Sequence, residues 1–330
     1  MTLNFEKEKL IAELKKAKPK PKKVLVQLAE GIKKNAPEIS EWIESLGIEC
    51  IFSGEPCWGG CSVAVQEAKA LGVDLIVHFG HAEFIKMDFP VIYMEVQDIL
   101  NLKPILTKSL KVLKEYKTIG LSYSIQHRHD VENIKKFYES HGKKVILSKK
   151  AGTNAYEGHI TGCDYLGLRQ IQDEVECFVI IGNQFHSMGA VLGVKKPVIL
   201  VDVYNDNVRS MKGLRDKIIK QRAFSIERLR EAKNVGIIIE IKPGQKFGSP
   251  KKLLEKLKAA GKTAIIITMD ELTPEKIMNF YNIDVFVELA CPRIALDDFA
   301  KYPKPILTMR EAMVAIGEKS WDELLENGFV

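Results

Sequence analysis

The sequence predicts an α/β fold of three pseudo-repeated domains, each a small parallel four-stranded sheet flanked by helices, with the sheet edges converging on one centre. Three observations carry this reading. Short β-rich apolar runs alternate with helical stretches along the whole chain, which is the pattern of βαβ units and a parallel sheet. The alternation recurs three times. A thiol also recurs at a fixed place: Cys61 stands 19 residues before Gly80, at the end of the strand Leu75–Gly80, and Cys163 stands at the same distance before Gly182, at the end of Cys177–Gly182. The third strand of this kind, Val285–Ala290, has Glu271 at that offset and Cys291 directly after it.

Each repeat opens on an apolar strand: Val24–Leu28, Ile119–Tyr123 and Val235–Glu240. A helix follows over 38–46, 131–140 and 250–259, then a second strand over 50–52, 144–147 and 263–267. Gly47, Gly142 and Gly261 sit where helix C-caps are expected. After another helix and the strand described above, a Pro-led apolar run closes each repeat: Pro90–Met94, Pro197–Val201 and Pro305–Leu307. The domains are expected at 1–107, 108–229 and 230–330. The charged stretch 208–233 reads as a linking helix, and the residues after Thr308 as a closing helix and tail.

A chain of 330 residues is long enough for two or three cores. Its 46% hydrophobic and 28% charged residues are an ordinary globular balance. No apolar run has the ~18 residues of a membrane span, and the N-terminus lacks the apolar core of a secretory signal, so a cytoplasmic location is expected. Six cysteines in that compartment point to buried, reactive or metal-bound thiols in preference to disulfides. The net charge of +6 owes much to the Lys/Pro run 15–23. No aromatic residues interleave those lysines, so the run reads as a solvated linker and no direct nucleic-acid binding is expected.

In parallel α/β sheets, ligands bind beyond the carboxyl ends of the strands. Cys61, Cys163 and Cys291 all occupy such positions, the first two in loops leading into helices expected to start near Ser62 and Asp164. A helix start would favour thiolate, the metal-binding form. Three thiolates without a fourth ligand fit a [4Fe–4S] cluster with one open iron better than structural zinc, which takes four. Cys50 and Cys177 lie inside apolar strands and read as core residues. Cys57 and Cys61 have the first interval of the radical S-adenosylmethionine motif, but Ala64 stands where its next cysteine belongs; the motif is absent and Cys57 is not counted as a ligand.

Several segments together carry a family resemblance: Ser53–Cys61 with its turn Trp58-Gly-Gly-Cys61, Leu75–His81, Ile160–Cys163, Gly182–His186, Asp202–Tyr204, Ala290–Ile294 and Pro303–Thr308. In this order and spacing the chain resembles the archaeal diphthamide synthases, the 2-(3-amino-3-carboxypropyl)histidine synthases of the first step of diphthamide biosynthesis, from about Val24 to Ala312. The resemblance implies a homodimer and one [4Fe–4S] cluster held by Cys61, Cys163 and Cys291, with Cys61 and not Cys57 closing the ligand turn. It implies S-adenosylmethionine as substrate, reductively cleaved between sulfur and the γ-carbon. The 3-amino-3-carboxypropyl radical then adds to a histidine of translation elongation factor 2, and methylthioadenosine leaves. An electron donor is implied but not identified.

Other polar residues share the same sheet edge: His78 and His81 after one strand, Gly182, Asn183, Gln184 and His186 after its equivalent, and Arg293 near Cys291. They are candidates for holding the substrate. Each histidine is equally read as a cap or a satisfied strand-end residue, Arg293 as the ion-pair partner of Asp297 or Asp298, and Asp202 and Tyr204 as fixing a junction. Two other readings compete. Quinolinate synthase also combines three α/β domains with a three-cysteine cluster, used as a Lewis acid, and a non-catalytic partner subunit could carry a structural metal. Cys-Pro-Arg and Trp-Gly-Gly-Cys favour the diphthamide reading.

Overall fold

The computed structural model describes residues 2–297 and 299–329. It contains three four-strand parallel units with one shared strand order. The first sheet holds Lys23–Leu28 (β1), Glu49–Phe52 (β2), Leu75–Phe79 (β3) and Val91–Met94 (β4), ordered β2-β1-β3-β4. The second holds Thr118–Tyr123 (β5), Lys144–Leu147 (β6), Cys177–Gly182 (β7), Val198–Asp202 (β8) and Asn207–Ser210 (β9), ordered β9-β8-β7-β5-β6. The third holds Asn234–Glu240 (β10), Thr263–Met269 (β11), Val285–Glu288 (β12) and Ile306–Thr308 (β13), ordered β11-β10-β12-β13. In every sheet the first strand of the repeat is flanked by its second and third, and the fourth lies outside the third.

The repeat extends to single hydrogen bonds. An acidic residue precedes the third strand of each sheet: Asp74, Glu176 and Asp284. Asp74 accepts from the backbone N–H groups of Lys22 and Lys23 at 2.7 and 3.0 Å, and Asp284 from those of Asn234 and Lys233 at 2.7 and 3.0 Å. Glu176 takes the N–H groups of Lys117 and Thr118 in the same way. Each carboxylate closes the otherwise unpaired amino end of a central strand.

Within each strand the side chains alternate between two faces. In β1, Val24, Val26 and Leu28 enter one core with Val77 and Phe79, while Leu25 enters another with Ile76 and Ala68. The second and third sheets share a continuous core: Phe178, Ile180 and Leu200 meet Val235, Ile237 and Val287 through Ile226 and Leu229 of the helix Lys212–Glu231 and Ala312 and Met313 of Met309–Ala315. Arg222 is embedded there, 1% exposed, against Glu311, which is fully buried. Its Nε and Nη2 donate to the two carboxylate oxygens at 2.5 and 2.7 Å, and its Nη1 and Nη2 donate to the carbonyls of Ala295 and Ile306, both at 2.8 Å.

Helices Val131–Ser140 and Pro250–Ala259 occupy the expected residues, and the first repeat's helix runs over Ala36–Glu44. Gly47, Gly142 and Gly261 all have φ between 71° and 78°, the left-handed conformation that ends these helices cheaply only in glycine. Two expectations change, and one contact is added. Residues 207–210 are not helical but add an antiparallel edge strand to β8. The residues after Thr308 form two helices, Met309–Ala315 and Trp321–Asn327. Thr2–Asn4 pairs antiparallel with Gln97–Ile99, tying the N-terminus to the end of the first repeat. No helix among the described residues is long and apolar enough to cross a membrane.

Candidate metal centre

A cavity of about 640 Å³ lies where the carboxyl ends of the three sheets meet, and Cys61, Cys163 and Cys291 all line it. Cys61 comes from the loop between β2 and the helix Val65–Leu71, Cys163 from the loop between β6 and the single turn Leu166–Arg169, and Cys291 from the short segment 289–291 that joins β12 to the helix Pro292–Asp297. The first two helices begin later than expected, three or more residues past each thiol, so no helix start acts on Cys61 or Cys163. Burial, not a dipole, sets their acidity. Loss of water raises all three thiols: Cys61 above its ordinary value, Cys163 to about 12 and Cys291 well above the thiol range. The neighbouring thiols add to it, Cys61 on Cys163, and both on Cys291. Three buried thiols this close cannot all ionise without a compensating cation. A metal centre would supply that compensation, and the three-sulfur donor set fits an iron–sulfur cluster.

Two clasps hold the thiol loops to the third sheet. Past β10, the Gly244 N–H donates to the Cys61 carbonyl at 2.8 Å, and Gln245 Nε2 donates to Cys61 Sγ at 3.4 Å. The approach needs glycine: a Cβ on Gly244 would sit 2.6 Å from the Cys61 Cα. The second clasp is Arg293. Its Nη1 donates to the carbonyl of Gly162, next to Cys163, at 3.0 Å, and its Nη2 to the carbonyl of Phe185 at 2.7 Å. It also pairs with Asp297 and lies over the Phe185 ring at 4.1 Å. The ion pair with Asp297 is thus present, and the guanidinium binds second-sheet backbone; Asp298 lies outside the described residues.

The other candidate residues divide. His81 and His186 line the cavity; His78, Gly182 and Gln184 are not among the described residues that do. His78 is fully buried behind His81, and Gln184 accepts from Arg209 on β9. Burial lowers His81 to about 4 and His186 to about 3, so both imidazoles are neutral at physiological pH. Asn183 Oδ1 accepts from the Phe185 N–H at 3.1 Å and lies 3.1 Å from His186 Nδ1, which orients that ring. Asp202 accepts from the N–H groups of Tyr204 and Asn205, fixing the turn after β8.

Sequence reasoning missed Gln126, His159, Glu240, Lys242 and Gln245, which also line the cavity. Their signal was available: Glu240 ends β10 and the others follow strands at the same functional edge. Glu271, at the thiol offset in the third repeat, lines the cavity as well.

Glu240 is 5% exposed, and burial pushes its carboxyl up to about 7, with Lys242 opposing. The Lys242 ammonium is 3.8 Å from Oε2, too far for a hydrogen bond. A raised carboxyl favours the protonated folded chain, so this contribution to stability is full below about pH 4.5 and is lost as pH rises through about 7. Glu240→Gln in the cluster-free chain is expected to gain stability relative to wild type between pH 4.5 and 8, on the order of 2 kcal/mol, read by chemical denaturation. An equal difference at both pH values would show that Glu240 titrates normally.

Residues 28–325 match the family model "Putative diphthamide synthesis protein". The chain belongs to the diphthamide synthesis protein family. Among curated members of the family, the 2-(3-amino-3-carboxypropyl)histidine synthase of Pyrococcus horikoshii is 29% identical, aligned over 98% of this chain and 95% of that one. The enzyme of the same name from Methanocaldococcus jannaschii is 26% identical over 99% and 94%. The human 2-(3-amino-3-carboxypropyl)histidine synthase subunit 1 is 28% identical over 97% and 73%. The crystal structure of Dph2 from Pyrococcus horikoshii with a 4Fe-4S cluster superimposes with a TM-score of 0.88 at 28% identity, covering 97% of this chain and 93% of that one. The α/β architecture with several small parallel sheets is thus shared with a cluster-bearing member of the diphthamide synthesis proteins.

Proposed function

We propose that this chain is the 2-(3-amino-3-carboxypropyl)histidine synthase of the first step of diphthamide biosynthesis. Cys61, Cys163 and Cys291 hold its [4Fe–4S] cluster. The observation that carries the reading is the meeting of three thiols, one from each sheet, around a single cavity. Full-length similarity to two archaeal synthases supports it. When bound, the cluster supplies an electron and an open iron position to S-adenosylmethionine.

The chain's own residues do the rest. Gln245 donates to the Cys61 sulfur and tempers its charge, and Arg293 fixes the backbone beside Cys163. His81, His159 and His186 present neutral rings to the cavity, and Glu240 with Lys242 offers polar partners for the amino-acid end of the substrate. Orientation decides which bond to sulfur breaks, so no side chain has to act as acid or base in the cleavage. The acceptor is a histidine of translation elongation factor 2; a homodimer, a separate electron donor and a cytoplasmic location complete the proposal.

The test is anaerobic incubation with dithionite and S-adenosylmethionine. Methylthioadenosine is the expected nucleoside product, and in the presence of the elongation factor a carboxyl label transfers to the wild-type factor but not to its histidine-to-alanine variant. A predominance of 5′-deoxyadenosine, or no cleavage by cluster-loaded protein, would overturn the reading.

A further inference from the structure

Cys57 is left without a role by the cluster. The structure places it beside His78 and His81, with one ligand atom from each residue within 4.8 Å of the other two. We propose that Cys57, His78 and His81 form a second metal site, separate from the cluster thiols, that takes a zinc-class divalent ion and pins the Cys61 loop to the end of β3. The site rests on residues outside the proposed cluster set.

The donor set selects the metal. One sulfur, two imidazole nitrogens and no carboxylate suit zinc and its borderline neighbours and disfavour calcium or magnesium. Tetrahedral bonds of ~2.0–2.3 Å put ligand atoms about 3.3–3.6 Å apart. The contact between His78 Nε2 and His81 Nδ1, now 3.0 Å, has only to open by a few tenths of an ångström.

The imidazole of His78 is already oriented as a ligand. Gln27 Nε2 donates to the Ser62 carbonyl at 2.9 Å, and Gln27 Oε1 accepts from the Ala64 N–H at 3.1 Å. Those two backbone groups fix which end of the amide is which. His78 Nδ1 lies 2.9 Å from the same Oε1, so Nδ1 carries the proton and Nε2 presents its lone pair to the trio. An N–H anchored behind a ligating histidine is the usual outer-shell arrangement of metal sites. Cys57 is equally constrained: it is 1% exposed, and its own N–H donates to Glu30 Oε1 at 3.1 Å. Burial pushes its thiol up to about 12 and the nearby Cys61 adds to that, with the Gly59 N–H opposing, so the thiolate forms here only with a compensating cation.

A fourth position remains for water. Tyr93 pairs with His78 in the sheet register, its ring 5.5 Å from the imidazole, and its buried hydroxyl has no hydrogen-bond partner among the described residues. A metal-bound water on this face would give it one. On binding, Cys57 loses its proton to solvent, and His81 carries its proton on Nε2 so that Nδ1 meets the metal. Both imidazoles stay neutral.

The experiment uses the full chain, cluster-reconstituted without oxygen, given stoichiometric zinc and desalted. Metal analysis should find one zinc per chain beside the cluster iron. Cys57→Ser should lose the zinc and keep the iron; Cys61→Ser should lose the iron and keep the zinc. Cobalt(II) in place of zinc should show the sulfur-to-cobalt charge-transfer band of a tetrahedral thiolate site, absent in Cys57→Ser. Gln27→Leu should weaken cobalt affinity about 10–100-fold. Zinc should raise the melting temperature of wild type and not of Cys57→Ser. Zinc absent from wild-type holoprotein would overturn the site, leaving a hydrogen-bonded triad. Iron loss in Cys57→Ser equal to that in Cys61→Ser would also overturn it, because Cys57 would then belong to the cluster; neither result touches the methylthioadenosine assay.

Discussion

Alanine at any one of Cys61, Cys163 or Cys291 is expected to abolish the visible thiolate-to-iron absorption and reduce methylthioadenosine formation to background, while alanine at Cys50 or Cys177 preserves both. The asymmetry follows from position. The first three face one cavity from three different sheets; Cys57, the thiol nearest in sequence to Cys61, is not among the described residues that line it. Cys50 instead faces Ser40 of the packed helix at 3.1 Å, and Cys177 is wholly buried within β7. Truncating either leaves a small cavity, a cost of packing and not of chemistry. Iron content and absorbance of anaerobically purified variants, with circular dichroism as a check on folding, decide the matter. Full cluster occupancy in Cys163→Ala would refute the ligand set.

The second large effect belongs to Arg222 and Glu311. Glu311→Ala is expected to cost about 3–5 kcal/mol of unfolding free energy, because it leaves a guanidinium uncompensated in the shared core of the second and third sheets. The damage reaches further than the pair. Arg222 also holds the carbonyls of Ala295 and Ile306, and Glu311 accepts from the Thr308 N–H at 2.7 Å at the start of its helix. Ala295 lies on the helix that begins after Cys291. Urea titration should therefore show a lower midpoint, and iron should be lost sooner on warming. Replacing both residues with Met and Leu should restore much of the stability, since an apolar pair of similar volume carries no desolvation cost. A single variant as stable as wild type would mean that water reaches the charge.

The repeat was legible because it is written locally. Strand and helix period, the glycines after helices, and the prolines leading each fourth strand are properties of short segments, and they placed the three sheets and the edge on which the thiols lie. What escaped depended on other signals. Asn207–Ser210 is a half-polar edge strand, and its flanking charges resemble the helix that follows. The helix starts near Cys61 and Cys163 were misplaced because Ser62 and Asp164 look like caps, whereas Ser62 Oγ bonds back to the Gly59 carbonyl, and Asp164, which does accept from the Leu166 N–H, is followed by a turn of only four residues. The second contact of Cys61 was invisible for a different reason: Gln245 is 184 residues away, and no periodicity announces a contact at that range. Arg293 was singled out for its charge, but its three-dimensional surroundings make it a bridge.

Both clasps originate in the last third of the chain. A nascent polypeptide that has left the ribosome only as far as the helix Lys212–Glu231 carries two of the three thiols, but not Gly244, Gln245 or Arg293, which hold the Cys61 and Cys163 loops in place. Domains fold in order of synthesis, and long-range contacts close last. On the proposed ligand set, iron offered during translation would meet two separate loops instead of a three-walled chamber, so loading of the cluster has to wait for the finished chain.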